Sequence, residues 1–555
     1  MPVLTLHNLT YFLPDGRLLL NNLSESFGGG RTALTGRNGT GKTVLAKIMA
    51  GLLPVVPPSS GGVTRDGTVF YLDQTADPAK FGTVAALMGA EEILNAVRRA
   101  ESSSGSEDDL ALADGHWDTE RRIALELRAA GLGYLTPDTP APLLSGGECT
   151  RALLAGAFLS GADFLILDEP TNHLDARSRE ALTAHLEARS GSSSDGGEKR
   201  APGLLVISHD RALLERMERI VELSPQGLRS YGGGFSLYRE WKETEHAAAL
   251  EHLDSVKTER RRAAAEARAS IERQEHRSAQ GRKGKPKKGF PKAVLHSMKA
   301  TAEKTAGKLT ALKEEKAASL ALAEKEAFLK AGIEDPVVLI PPACSVHAAK
   351  VILRLEGVVL PYGSHRDAID WVLTGPERAA VEGPNGSGKT TLLRILTGAI
   401  SPLAGRCEVK VPYAVLDQFA AFSPGPPNRP AVELLRESSG GTLSLAEAGT
   451  RLAQIGIARE RLLLPAEVLS GGERLKAALL CALHRSPPPQ LLILDEPTNH
   501  LDLDSTESVE KVLNAYTGAI LVVSHDSFFL NRAGVSRRLC LGSSERAGIS
   551  AEDRA

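Results

Sequence analysis

The chain has 555 residues, too many for one compact domain, and an apolar content of 42%, ample for buried cores. Its net charge of -2 identifies no partner, and its five scattered cysteines exclude a disulfide-dense scaffold and suggest a reducing cytoplasm. The first residues, MPVLTLHNLTYF, lack the basic and apolar regions of a signal peptide, and no apolar run approaches the ~20 residues that span a bilayer.

In chain order, the apolar strand TALTGRN leads into GRNGTGKT, which ends at Thr43. This is the phosphate-loop pattern: glycines let backbone N–H groups face phosphates. Gly36, Asn38, Gly39 and Gly41 shape that cradle, Lys42 reaches the β/γ oxygens, and Thr43 offers a hydroxyl to Mg²⁺. Gln74, in YLDQ, follows a short strand and is a candidate contact to Mg²⁺ or the attacking water. LLSGGE begins at Leu143 and opens a helical run. Ser145, Gly146 and Gly147 there offer backbone N–H groups to an anion. FLILDEP is a buried parallel strand ending in two carboxylates. Asp168 is the candidate Mg²⁺ holder and Glu169 the group that orients the attacking water. LLVISHD then places His209 at a strand end, beside the γ-phosphate by topology.

Every one of these motifs recurs. GPNGSGKT supplies Gly383, Asn385, Gly386, Gly388, Lys389 and Thr390, followed by Thr391. Gln418 stands in VLDQ, Ser470, Gly471 and Gly472 in LSGGE, Asp495 and Glu496 in LLILDEP, and His525 in LVVSHD. Glycines Gly36 and Gly383 are offset by 347 residues, leucines Leu144 and Leu469 by 325, and histidines His209 and His525 by 316. The first half thus carries about 22 extra residues before its signature, expected in a solvated loop around ESSSGSEDD. SGSSSDGGEKRAPG reads as a second flexible loop. Each half already has a phosphate loop, so each signature needs a nucleotide from elsewhere. The economical solution is a monomer with head-to-tail pairing inside one chain: Lys42 with Ser470–Gly472, and Lys389 with Ser145–Gly147. ATP and Mg²⁺ are the implied cofactors.

The division expected is 1–238 for the first nucleotide-binding domain, 239–350 for a charged connector and 351–555 for the second domain. Glu240–Glu275 and Ala300–Lys330 are rich in helix formers, with thin apolar seams (Leu250, Leu253, Val256; Leu309, Leu312, Leu320, Leu322), as two antiparallel helices require. Between them, about 277–302 is a tip with Arg277, Arg282, Lys283, Lys285, Lys287, Lys288, Lys292 and Lys299 and no acid. That suits a phosphate-rich partner; structured RNA, an acidic protein, DNA or plain solvent all remain open from the residues alone.

Taken in order, the motifs resemble those of the ATP-binding cassette superfamily. More narrowly, the chain is similar to the ABC-F subfamily of tandem-cassette ATPases. Three features carry this: signatures ending in Glu148 and Glu473, EPTNHLD in both halves, and a charged helical linker with a basic tip. The resemblance implies an α/β fold, with two P-loop ABC-type domains joined by an α-helical hairpin linker. It implies binding to the ribosome in the ATP-closed state, at the tRNA exit site. The linker would point at the P-site tRNA and rRNA, and release would follow hydrolysis. Members modulate translation or protect it from antibiotics. It also implies an adenine-stacking aromatic, matched in the second half by Tyr362; in the first half Leu13 stands there, with Tyr11 and Phe12 nearby. The competing readings are the ATPase subunit of a transporter and a DNA-handling ATPase.

Overall fold

In a computed structural model, the residues described are 3–73, 78–102, 105–172, 174–190, 202–283, 315–327, 344–417, 428–499 and 501–542. Within 189–190, 270–271, 274–275 and 277–283 only the backbone is described. The chain divides into two units, Met1–Tyr238 with Val337–Ala555, and Arg239–Pro336.

Both halves of the first unit repeat one architecture. In the first, six strands run in the order Val69–Leu72, Phe164–Asp168, Gly203–Ile207, Arg31–Thr35, Arg219–Ser224 and Gly227–Gly232. All neighbours are parallel except the final hairpin. In the second, Tyr413–Leu416, Leu491–Asp495, Ala519–Val523, Arg378–Glu382 and Arg537–Cys540 form a wholly parallel sheet. These strands read as continuous apolar runs because both of their faces are covered. Along FLILD, Leu165 and Leu167 pack on one side with Leu154, Leu186 and Val206. Phe164 and Ile166 pack on the other with Leu34, Ile48 and Met49. LLILD divides in the same way, Leu491 and Ile493 against Leu492 and Leu494. A three-stranded antiparallel sheet accompanies each core, centred on Val3–Phe12 and on Val351–Val359. Candidate site residues therefore leave the C-terminal ends of parallel strands, where open α/β sheets bind ligands.

The first half's extra residues are not simply a solvated loop. Glu107–Ala113 is a helix, opened by a capping box in which Ser106 and Asp109 each accept the other's backbone N–H. Asp109 is further held by Arg99 at 2.5 Å, and Ala113 is fully buried. The run of acids that reads as solvent-loving is the first turn of a helix, where negative charge is favoured. The second expected loop lies largely outside the described residues.

In the second unit the helix Phe235–Lys283 runs 49 residues, and residues 315–327 are helical. Leu253 and Ala327 are buried together, with Ala249 and Val256 against them, and Arg260 pairs with Glu324 at 2.5 Å. The seam is narrower than its leucines suggest: Leu322 is exposed and Leu250 partly so. Arg277, Arg282 and Lys283 fall on the first helix, with side chains outside the described set; Lys285, Lys287, Lys288, Lys292 and Lys299 lie outside the described residues altogether.

Candidate active site

Each phosphate loop joins a core strand to a helix, Lys42–Met49 in the first half and Lys389–Leu396 in the second. Gly36 and Gly383 must be glycine: φ is 144° and 152°, and a Cβ would lie 2.2 and 2.5 Å from the carbonyl oxygens of Leu223 and Leu541. Neither helix has a side-chain cap, so its first N–H groups face the cleft unclaimed by protein side chains, an arrangement suited to phosphate. Lys42 Nζ donates to the carbonyls of Gly36 and Arg37, and Lys389 Nζ to those of Gly383 and Pro384. Burial lowers the pKa of both lysines.

The first cleft, about 570 Å³, brings together Asn38, Gly39, Gly41, Lys42, Thr43, Asp168, Glu169 and His209. Its opposite wall comes from the other half: Gly471 of the signature with Thr498, Asn499, Leu501 and Thr506. Leu13 and Leu19 line it as well. The second cleft, about 410 Å³, gathers Asn385, Gly386, Gly388, Lys389, Thr390, Thr391, Asp495, Glu496 and His525. Leu174 and Arg179 of the first half complete its wall, whereas Ser145, Gly146 and Gly147 are not among its lining residues. Tyr362 is 66% exposed beside Gly363, which lines this cleft. Gln74 and Gln418 lie outside the described residues.

Two reciprocal hydrogen bonds cross the interface. Asn38 N–H donates to Asp502 Oδ2 at 2.8 Å, and Asn385 N–H donates to Asp175 Oδ2 at 3.1 Å. The other oxygen of each aspartate takes a helix N–H in its own half, from Ser505 or Ser178. Arg37 adds an ion pair to Asp504 at 2.9 Å, and Arg211 a buried one to Glu510 at 2.5 Å. Asp175, Asp502, Arg179 and Arg211 were not singled out from sequence; the aspartates sit in the repeated NHLD string, the one signal that points to them.

Both signature helices carry a full capping box. Ser145 and Ser470 pair with Glu148 and Glu473, so one N–H at each helix start is already satisfied and those of the two glycines remain. Tyr134 holds Glu148 by a short hydrogen bond, and Arg461 holds Glu473 at 2.7 Å.

Glu169 and Glu496 occupy left-handed backbone, φ 50° and 47°, rare for a residue with a side chain. Burial pushes both carboxyl pKa values up, that of Glu496 to about 7. His209 Nε2 stands 3.7 Å from Glu169 and His525 Nε2 3.4 Å from Glu496. Burial pulls these imidazoles down to about 3 and about 4, which leaves them neutral. Asp168 is buried; its Oδ2 accepts from Tyr71 while Oδ1 has no protein partner, and Thr43 lines the same cleft. A bare buried carboxylate oxygen beside a hydroxyl is an oxygen donor set that fits Mg²⁺, and Asp495 and Thr390 line the second cleft as the matching carboxylate and hydroxyl. Unclaimed loop amides, a buried carboxylate at a strand end and a neutral imidazole together suit phosphoanhydride hydrolysis.

Residues 20–172 and 367–499 match the family described as ABC transporter. The chain is 30% identical over 560 residues to the tylosin resistance ATP-binding protein TlrC of Streptomyces fradiae, covering 94% of each chain. It is 31% identical over 525 residues to the ATP-binding protein Uup of Caulobacter vibrioides, covering 91% of this chain and 72% of that one. The energy-dependent translational throttle protein EttA of Mycobacterium tuberculosis is 29% identical over 548 residues, covering 93% and 87%. Among solved structures, the fold is similar to that of RNase-L Inhibitor, with TM-score 0.58 and 18% identity over 96% of this chain and 87% of that one. No helix among the described residues is long and apolar enough to cross a membrane. The chain is an ATPase, converting ATP and water to ADP and phosphate. With two cassettes on one polypeptide, and relatives that match it along nearly its whole length, it belongs to the ABC-F subfamily of the ATP-binding cassette superfamily.

Proposed function

We propose that this chain is an ATP-gated clamp that binds the ribosome in its closed state, at the tRNA exit site, and leaves on hydrolysis. Its linker, 239–350, reaches the P-site tRNA and rRNA through the basic tip, and it modulates translation or protects it from antibiotics. The clamp is a monomer of the cytoplasm in which cassettes 1–238 and 351–555 pair with each other. The observation that carries the clamp reading is the reciprocal grip of Asp502 on Asn38 and Asp175 on Asn385, with Gly471 in the opposite cleft. The ribosomal partner rests on the relatives' names, a translational throttle and a tylosin resistance protein, and on the run of cations at the tip.

In this mechanism the loop amides and Lys42 or Lys389 bind the triphosphate. Thr43 with Asp168, and Thr390 with Asp495, would hold Mg²⁺, which would supply charge neutralisation at the phosphates. Glu169 and Glu496 orient the attacking water and draw its proton, and neutral His209 and His525 hold the geometry around that water. Gly471 covers the first nucleotide from across the interface. Ser145–Gly147 would do the same at the second once that cleft tightens. Losing the γ-phosphate removes an anion that both halves share, and the halves separate.

The test is ribosome co-sedimentation of a Glu169→Gln, Glu496→Gln variant with ATP, and with ADP as control. Pelleting with ATP alone supports the reading. No pelleting while ATP still binds refutes the ribosome as partner. Recovery with a membrane protein, or with DNA at physiological salt, would redirect it to transport or DNA handling.

A further inference from the structure

The repeat makes the two ATP sites formally equivalent, but the residues meeting at their shared border are not. Four positions after Asp175 stands Arg179; four after Asp502 stands Thr506. Arg179 lines both clefts. Its Nε donates to the carbonyl of Leu174 at 3.0 Å, and its Nη1 lies 3.4 Å from Asp210, next to His209 of the first site. The charge of this cation, like that of Lys389, favours the ionised form of Glu496 in the second cleft, which all three line. It also acts on His525 and Asp526. The first site has the hydroxyl of Thr506 at the matching place.

We propose that Arg179 is a positioning residue of the second ATP site, delivered across the interface by the first cassette, and that it makes the two sites hydrolyse ATP unequally. Its planar fork is fixed at two donors by the first cassette, so it presents charge to the second cleft in a defined place. Among the described residues, the second cassette contributes no cation to the lining of the first site. The link to Asp210 ties the histidine loop of one site to the carboxylate of the other. This inference rests on Glu496 being the water-orienting group of the second site.

Single-site forms of the full chain test it: Glu169→Gln leaves the second site active and Glu496→Gln the first. Each is combined with Arg179→Thr, which copies Thr506, and with Arg179→Lys. Single-turnover hydrolysis and ATP affinity are measured separately. In the Glu169→Gln background, Arg179→Thr should slow the chemical step about tenfold, less than the roughly 100-fold cost of losing a donor that touches the transition state, because Arg179 acts through Glu496, with a smaller change in ATP affinity. Arg179→Lys should recover part of that rate, and the ratio of second-site to first-site rates should fall. Equal slowing in both backgrounds, or no recovery by lysine, would show a merely structural role and overturn the proposal. If Glu169→Gln, Glu496→Gln hydrolyses as fast as Glu169→Gln alone, the assignment of Glu496 fails first and takes the inference with it.

Discussion

The buried pair between Arg211 and Glu510 gives a sharp test of what holds the cassettes together. The side chains are 2% and 4% exposed, and the contact is 2.5 Å. The two partners are not equally dependent on it. Glu510 also meets Arg532 at 3.2 Å, whereas Nε and Nη2 of Arg211 have no hydrogen-bond partner. Removing Glu510 therefore strands a buried cation, for which about 3–5 kcal/mol is the usual cost. Removing Arg211 leaves Glu510 with a partner, so the loss should be about 1–2 kcal/mol. Because the pair bridges two cassettes, the stranded charge can regain water by opening, and the cost falls on closure rather than on unfolding. At 1.4 kcal/mol per decade, Glu510→Gln should lower the closure equilibrium on the order of a hundred- to a thousandfold, and Arg211→Met about tenfold. The assay is energy transfer between dyes on the two cassettes, in the Glu169→Gln, Glu496→Gln background. The double variant Arg211→Met, Glu510→Gln should close more easily than Glu510→Gln alone, since no orphan charge remains. Shifts below twofold in both single variants would refute the reasoning.

Three further outcomes are expected. Asp502→Ala removes both a helix cap and the acceptor for Asn38, so it should lower thermal stability by about 1 kcal/mol and weaken ATP-driven closure more than that cap alone explains; unchanged closure would count against the reciprocal grip. Glu169→Gln with Glu496→Gln should cut steady-state ATP hydrolysis at least ~100-fold while ATP binding survives, which filter binding and phosphate release read together. His484 supplies a pH test. Its Nδ1 faces the Leu480 carbonyl, which only accepts, and its Nε2 the Arg451 guanidinium, which only donates, so the imidazole is neutral with its proton on Nδ1. Burial, with a smaller contribution from the Arg451 charge, lowers its pKa to about 4. The unfolded chain then binds a proton more readily than the folded one. The stability this histidine contributes is complete above about pH 6.5 and declines by about 3 kcal/mol as pH falls towards 4. Urea midpoints across that range should show the slope, and His484→Gln should flatten it.

Much of the candidate site was legible because phosphate binding fixes residue types at fixed spacing. Two copies of GxxxxGKT, SGGE, LDEP and SHD in one order leave little freedom, and the strands carrying them are apolar on both faces. What the pattern could not supply were single residues whose meaning lies in what they meet across the interface. Arg179 and Arg211 stand opposite Thr506 and Ser527 in the repeat, so alignment of the halves registers them only as mismatches. The insert after Glu101 was misjudged for a local reason. Ser106 and Asp109 make a capping box, which at the level of composition is indistinguishable from a polar loop. In the linker, helix propensity placed a helix over Glu240–Glu275, inside the longer Phe235–Lys283, but leucines alone overstated the seam, because small residues such as Ala249 and Ala327 do much of the packing.

The two aspartates that start their own helices while gripping the opposite loop make this interface isologous in kind: each half offers the same surface to the other. Such surfaces allow a half to associate with its own copy. The Arg211–Glu510 pair disfavours that choice, since two first halves would leave Arg211 against Thr183 with no acid, and two second halves would leave Glu510 against Ser527 with Arg532 alone. Only the mixed pairing gives Arg211 an acid and Glu510 its second cation. Were the halves made as separate chains, they should therefore assemble as a heterodimer in preference to either homodimer.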